Sequence, residues 1–288
     1  MKKRVHIFYY NKTRNDGTAF YSWYALKKLA KEYEFDLHFY LPPDGKFANN
    51  EPLPKSDFNI WVDWGEDCFG GTEYVPPSPN AVWWVDTHLG KEYRIKRSLK
   101  FDKTYLAQLN DVENFKKAGV NDVWWLPLAA EPDVWKPLDI IKQYDVAFIG
   151  FLNCKKRIEH LETLFKEFPN FYYGVTFFDR ANKKFNESRM LFNISIKDDI
   201  NMRFFEAMST GVPLLTNKIV NNGMEELAIP FDHFMSYKNE KELIDRTHQI
   251  LKDPEIFNKM GKNASEHVRN HHTYYHRMKK VLTEGGVL

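Results

Sequence analysis

The sequence is poor in the signatures that place a chain at a glance. It has 2 cysteines, Cys68 and Cys154, with no CxxC spacing, which argues against a disulfide framework and predicts reduced, buried thiols in a cytoplasmic protein. No apolar run approaches the roughly 18 residues of a membrane span, so a transmembrane protein is not expected. Charge of one sign is also scarce: 41 Lys and Arg stand against 39 Asp and Glu, a formal +2. That is too mild to argue for nucleic acid or an anionic membrane, which are normally met by a clustered basic stripe, and too mild to exclude them. There is no GxGxxG, hence no dinucleotide fingerprint, and no internal repeat of the solenoid kind. His267 and His271 have the i, i+4 spacing of a zinc helix, but the HExxH glutamate and a third ligand are missing, so no metal site is assigned.

What is present is ordinary globular material. Hydrophobic residues make up 43% and aromatics 16%, against 28% charged, enough for packed cores and against disorder. At 288 residues two compact domains of about 130 to 150 residues each are the natural expectation. The basic start Met1 to Arg4 mimics the head of a signal peptide, but the apolar run Val5 to Tyr10 is short and contains His6, so it reads as a first strand.

A polar loop with Gly17 follows, then a helix with Phe20, Trp23, Leu26, Ala30 and Tyr33 at spacings of three and four. Phe35 to Leu41, stopped by Pro42 and Pro43, Phe58 to Val62, Ala81 to Val85 and Val123 to Leu126 read as further strands. Asp111 to Ala118 reads as a helix ended by Gly119, and residues 44–80 as an irregular crossover. Leu126 to Pro137, with three prolines in twelve residues, is too stiff for a helix or a central strand, and residues 129–139 are read as the interdomain linker. The alternation then restarts. Strands are predicted at Tyr144 to Ile149, Phe171 to Val175, Leu191 to Ile196 and Val212 to Thr216. Helices are predicted around Ile158, Leu161, Leu164, Phe165 and Phe168, at Met202 to Ser209 with Gly211 as the stop, at Lys241 to Lys252 and from Pro254 to Asn270. Thr273 reads as the N-cap of a last helix, Tyr274 to Leu282. The expected organisation is α/β with two Rossmann-like, doubly wound domains, 1–128 and 140–270, and a C-terminal helix in 271–288 that crosses back to the first domain.

In open parallel sheets ligands bind beyond the carboxyl ends of the strands, which narrows the candidates. After Ile149 come Gly150, Asn153, Lys155, Lys156 and Arg157, a turn leading to three cations at a helix start, where amides and a guanidinium fork suit a diphosphate; a solvated basic turn is the plainer alternative. Glu206 lies among Phe204, Phe205, Ala207 and Met208, where an unpaired carboxylate would be costly. Either Arg203, three residues earlier, compensates it, or it accepts hydrogen bonds from the vicinal hydroxyls of a ribose; both stay open. Asp86 and His88, just past the strand Ala81 to Val85, could orient or deprotonate a hydroxyl, or Asp86 could cap a following helix with His88 on the surface. Gly17 could admit a close backbone approach to a ligand. Trp61, Trp64, Trp83, Trp84, Trp124 and Trp125 read mostly as strand core.

The stretch Tyr144 to Thr216 resembles the C-terminal domain of the CgeB-like glycosyltransferases, relatives of the GT4-type enzymes of GT-B fold. The resemblance is carried by Asp145 to Gly150, Arg157, Ser188 to Asn193, and Asn201 to Gly211 with Arg203, Phe205, Glu206 and Ala207, then Leu214 to Thr216 and the tail Asn270 to Arg277. It implies two domains facing each other across a cleft and a nucleotide-sugar donor, UDP-linked by preference, transferred with retention to a hydroxyl. It also implies two acidic residues eight positions apart: Glu206 on the ribose and Asp198, an Asp where the family has Glu, near the transferred sugar, with Asp199 as a competitor. Arg157, helped by Lys156, would neutralise the leaving diphosphate. The implied site is therefore catalytic Asp86, His88 and Asp198, with Gly17, Asn153, Lys156, Arg157, Thr176, Asp199, Asn201, Met202, Arg203 and Glu206 on the donor. No metal or other cofactor is required, and Asp-x-Asp, the metal signature of the other major glycosyltransferase fold, is absent from the sequence. The acceptor is open: a glycan, a protein, a small molecule or modified DNA. A catalytically silent module that binds a nucleotide-sugar or glycan is the expectation from a different class.

Overall fold

A computed structural model of the chain describes residues 2–9, 17–40, 55–63 and 75–288; Trp64, Cys68, Pro42, Pro43 and most of the 44–80 crossover lie outside them. The chain divides into two compact units, Met1–Leu128 with Tyr274–Leu288, and Ala129–Thr273.

The first unit is built on β1 (Arg4–Phe8), α1 (Thr18–Tyr33), β2 (Asp36–Tyr40), β3 (Phe58–Asp63), β4 (Asn80–Trp84), α2 (Lys91–Ser98), β5 (Lys103–Leu106), α3 (Leu109–Lys117) and β6 (Val123–Trp125). Its six strands run in the order β2-β1-β3-β4-β5-β6, every neighbouring pair parallel. The chain leaves β1 for β2 on one side and returns for β3 on the other, so the topological switch point falls between β1 and β3. A central strand with both faces covered must be apolar throughout, and β4 is buried at every position. Its two indoles are anchored as well as buried, Trp83 Nε1 donating to Leu126 O at 2.9 Å and Trp84 Nε1 to Ser98 Oγ at 2.7 Å. Trp124, by contrast, is 49% exposed, because β6 is an edge strand and one of its faces meets solvent.

The apolar stripe of α1 is displaced from the expected one. Tyr21, Ala25, Leu26 and Leu29 are buried, whereas Tyr33 is 39% exposed and Phe20, Trp23 and Ala30 are only half-buried.

The second unit contains β7 (Tyr144–Ile149), α4 (Lys155–Glu167), β8 (Phe171–Gly174), α5 (Phe178–Asn186), β9 (Ser188–Asn193), α6 (Met202–Ser209), β10 (Leu214–Asn217), α7 (Met224–Leu227), β11 (Met235–Tyr237), α8 (Glu240–Lys252) and α9 (Pro254–His271). Its sheet has the order β11-β10-β9-β7-β8, again parallel at each pairing, with the switch point between β7 and β9. Val146, Phe148, Leu164, Met190, Phe192, Leu215, Met235, Leu243 and Met260 belong to one core cluster. On α4 only Leu161 and Leu164, with Phe168 beyond its end, are buried. Ile158 and Phe165, expected on the same face, are exposed, at 37% and 56%. Seven residues apart, they share an edge of the helix that the sheet does not reach.

Residues 129–139 lie within this second unit. Ala129, Ala130 and Trp135 are buried, Ala130 forms a bridge with Thr273, and Lys136 N and Leu138 N donate to Asn182 Oδ1 and Asn186 Oδ1 on α5, at 3.2 and 2.8 Å. The stretch is stiff, as its prolines require, but it is docked. Two glycines let α9 reach α6. Gly211 takes a left-handed φ of 75° to end α6, and a Cβ on Gly261 would sit 2.1 Å from Gly211 O, a backbone approach only glycine permits.

The last helix, α10 (Tyr274–Glu284), belongs to the first unit and packs on α1, with the rings of Tyr21 and Tyr274 5.3 Å apart. Arg277, buried on α10, donates to Pro127 O and Leu128 O at 2.7 and 3.1 Å.

Candidate active site

In the second unit the predicted residues collect at the carboxyl edge of the sheet. Arg157 enters through the first turn of α4, whose N-cap, Cys154, makes no side-chain capping bond. Its Nη1 donates to Phe151 O at 2.6 Å and Asn153 Oδ1 at 3.0 Å, and its Nη2 to Ile194 O at 3.3 Å. One guanidinium thus ties the turn after β7 to the end of β9, across the switch point. Its Nε is buried and, among the described residues, has no hydrogen-bond partner. Burial lowers its pKa, a shift opposed by Cys154 and Tyr173, and it remains a cation at neutral pH. Lys156 and Asn153 are exposed, and Cys154 is a free, half-buried thiol rather than a buried one. Thr176 is half-buried in the turn after β8.

The segment between β9 and α6 is organised by asparagines. Asn201 caps α6, its Oδ1 accepting from Phe204 N at 3.2 Å, and its Nδ2 reaches Ser195 Oγ at 3.3 Å. Ser195 N in turn donates to Asn217 Oδ1 at 2.7 Å, and Asn193 Nδ2 to Thr216 Oγ1 at 3.3 Å. Lys197 and Asp198 both take left-handed backbone, at φ of 54° and 56°, and Asp198 O accepts from Asn222 Nδ2 at 2.6 Å. The Asp198 side chain is exposed; Asp199 and Met202 are half-buried.

Glu206 is 1% exposed and its Oε2 lies 2.8 Å from Arg203 Nη1. The alignment is not that of a hydrogen bond, so the contact is an ion pair by proximity. The compensation expected from Arg203 is therefore present. Trp135 and Phe185 complete the surroundings of Arg203, and neither was expected at the site. Nor were Asn193, Ser195, Thr216, Asn217 and Asn222; the first four are polar side chains at or just past the ends of otherwise apolar strands.

In the first unit Asp86 and His88 follow β4. The next helix, α2, has Gly90 at its N-cap and no side-chain cap, so the capping role for Asp86 is not realised; its carbonyl accepts from Leu89 N at 2.9 Å. Thr87 between them is fixed by Asp111, Oγ1 to Oδ2 at 2.5 Å, and Lys91 pairs with the other oxygen at 2.5 Å. His88 is half-buried rather than a surface residue. Gly17 caps α1 with ordinary extended backbone, and an added Cβ there would meet nothing within 4 Å; neither strain nor crowding calls for glycine. His267 Nε2, on α9, donates to Leu227 O at 2.8 Å and lies 3.1 Å, nitrogen to nitrogen, from His272. Its ring stacks on His233 at 4.2 Å, so two further histidines join the pair seen in the sequence.

The chain has the GT-B architecture of two parallel α/β units, the second carrying a cation at a helix start and a buried acid at the carboxyl edge of its sheet. Residues 157–283 match the family model described as glycosyl transferase-like. The fold is similar to an α-glucosyltransferase in complex with UDP and a 13-mer DNA containing an HMU base (11% identity, TM-score 0.65, covering 99% of this chain and 100% of that one). It is similar also to HepE of Anabaena in complex with UDP and glucose (10%, 0.63, 100% and 100%), and to the sucrose-phosphate synthase of Thermosynechococcus elongatus (10%, 0.63, 98% and 98%). Among curated proteins none matches the chain. No helix among the described residues is long and apolar enough to cross a membrane.

Proposed function

We propose that the protein transfers a sugar from a UDP-sugar to a hydroxyl acceptor, with retention and without a metal, as in the CgeB-like, GT4-related enzymes that its second half resembles. The observation that carries this is Arg157: a half-buried guanidinium beside a helix start that has no side-chain cap is a site for an anion. A leaving diphosphate places its growing negative charge there, and donors already aimed at it lower the barrier. Lys156, Asn153, Thr176, Asn201 and Met202 border the same edge and would complete the donor site, with Glu206 on the ribose hydroxyls. Asp198 or Asp199 would face the transferred sugar. The first unit would supply Gly17, Asp86 and His88 on the acceptor side, with His88 or Asp86 taking the acceptor proton. The neighbours solved with UDP or glucose support this choice of donor.

Incubation with UDP-glucose and other UDP-sugars, with release of UDP and of the free or transferred sugar followed by chromatography, tests the proposal. Turnover is expected, slowed by Glu206→Gln and insensitive to EDTA. Binding of UDP with no turnover on any donor or acceptor would instead indicate the silent module. Modified DNA is the second acceptor to try, because one similar structure holds a DNA containing an HMU base; a salt-sensitive gel shift is the expected sign, and its absence would leave glycans or small molecules.

A further inference from the structure

Arg203 was expected to touch the donor, but its surroundings suit a different task. Its guanidinium carbon lies 5.1 Å from the ring of Trp135 and 5.4 Å from that of Phe185, and those rings are 5.7 Å apart. Two aromatic faces thus border a planar cation, an arrangement that suits arginine better than lysine. Both rings are themselves held. Trp135 is 2% exposed and Phe185 1%. Ser209 Oγ, at the end of α6, donates to Trp135 O at 2.5 Å, and the following residue is tied to Asn182 on α5. Three pieces of chain, α5, α6 and the docked stretch 129–139, converge on one side chain, and its Nη1 is delivered to within 2.8 Å of Glu206 Oε2.

The misalignment of that contact is informative. A pair formed for its own stability would align an N–H with the carboxylate; here the contact is close but unaligned, and two ring faces border the guanidinium. We infer that Arg203 is a positioning residue: clamped by Trp135 and Phe185, it keeps the buried Glu206 carboxylate charged and oriented to accept hydrogen bonds from the donor's ribose. The inference rests on the assignment of Glu206 to the ribose proposed above. Removing a cation from beside a carboxylate at this depth makes the acid easier to protonate, and a neutral acid is a weaker acceptor.

The test reads ribose recognition rather than overall binding. Calorimetric titration with UDP and with 2′-deoxy-UDP gives a preference ratio for the intact protein, expected at about ten-fold or more because a buried acceptor would lose its partner. Arg203→Met should bring the ratio to about two-fold or less, with KM for the donor rising more than kcat falls. Arg203→Lys, which keeps the charge but not the stacked plane, should fall between, and Trp135→Leu, with Arg203 intact, should shift the ratio the same way. Should Arg203→Met not fold, Arg203→Lys and Trp135→Leu carry the same test. A wild-type ratio in those folded variants, with UDP and its deoxy analogue weakened equally, would overturn the inference and leave Arg203 as a phosphate ligand or a plain structural pair. A wild-type ratio in Glu206→Gln would overturn instead the ribose assignment on which it rests.

Discussion

The carboxyl edges of the two sheets are furnished differently. In the second unit the residues there are bonded to one another and to backbone: Arg157 to Phe151 O and Ile194 O, Asn201 to Ser195 and Phe204 N, Ser195 N to Asn217. In the first, the segment after β4 is fixed through Thr87 and its bond to Asp111, while the flanking Asp86 and His88 are half-buried. A nucleoside diphosphate presents a ribose, two phosphates and a fixed span between them, so a site for it needs several preset donors and acceptors. An acceptor hydroxyl asks for little more than one base. Among the described residues, the second edge is a network of preset donors and acceptors, and the first is held through Thr87 and Asp111.

The largest effect that could break this division lies in the first unit. Asp86→Asn or His88→Gln is expected to lower kcat by about 100-fold to 10,000-fold while leaving UDP affinity within about two-fold, since a base for the acceptor hydroxyl acts in the chemical step and not in holding UDP. Initial rates and calorimetry on the same preparation read both quantities; parallel loss of UDP affinity would end the assignment of separate tasks.

Next comes the backbone seam of the second unit. Gly261→Ala places a methyl 2.1 Å from Gly211 O, and neither backbone can yield without parting α9 from the end of α6. A loss of about 3 kcal/mol or more is expected, read as a lowered urea midpoint that saturating UDP partly restores. A midpoint unchanged from the parent would mean that the seam is looser than these distances.

Acid should weaken both units. His6, fully buried in β1, is lowered to about 4 by burial and then by His38 and Arg4. Its pKa is below the ordinary value near 6.5, so the unfolded chain binds the proton first. Stability is whole above about 6.5, declines as pH falls toward 4, and levels off below, a loss on the order of 3 kcal/mol. His233 in the second unit is lowered too, by burial and then by His267, and acts in the same sense. Urea midpoints at pH 7.5 and 5 should differ by less in His6→Gln than in the parent; an equal difference would remove His6 as the cause.

The smallest effect is expected at Lys156, exposed on the first turn of α4. Lys156→Ala should cost UDP binding about 1 kcal/mol or less, and less still at high salt.

Much of this was readable from the residues alone, and the part that was not has physical causes. Tyr144 to Ile149 and Met202 to Ser209 were placed to the residue, because a buried β-rich run ended by glycine and an apolar helix ended by Gly211 leave little choice. Short elements escaped: β5 and β11, with four and three residues, are too brief for a period to show, and α5 hides Ala181 and Phe185 among charges. The apolar faces of α1 and α4 were misjudged because spacing alone does not say which edge of a helix the sheet covers. Glu206 was legible as a charge where charge is costly, Arg203 as its candidate partner, and Arg157 as a cation at a helix start. Trp135 was not, since prolines on either side made its segment look like a tether, and only the fold shows it docked on α5 and stacked on Arg203. Asn193, Ser195 and Asn217 were hidden by being the small polar ends of strands, a pattern that loops share.

The most direct measurement is calorimetric titration of UDP into the intact protein, Arg157→Ala and Glu206→Gln. The account predicts one site per chain in the parent, weakened about 100-fold or more by each substitution, as expected when a charge-assisted contact is lost from a desolvated site. Binding of UDP at parental affinity to both folded variants would contradict it.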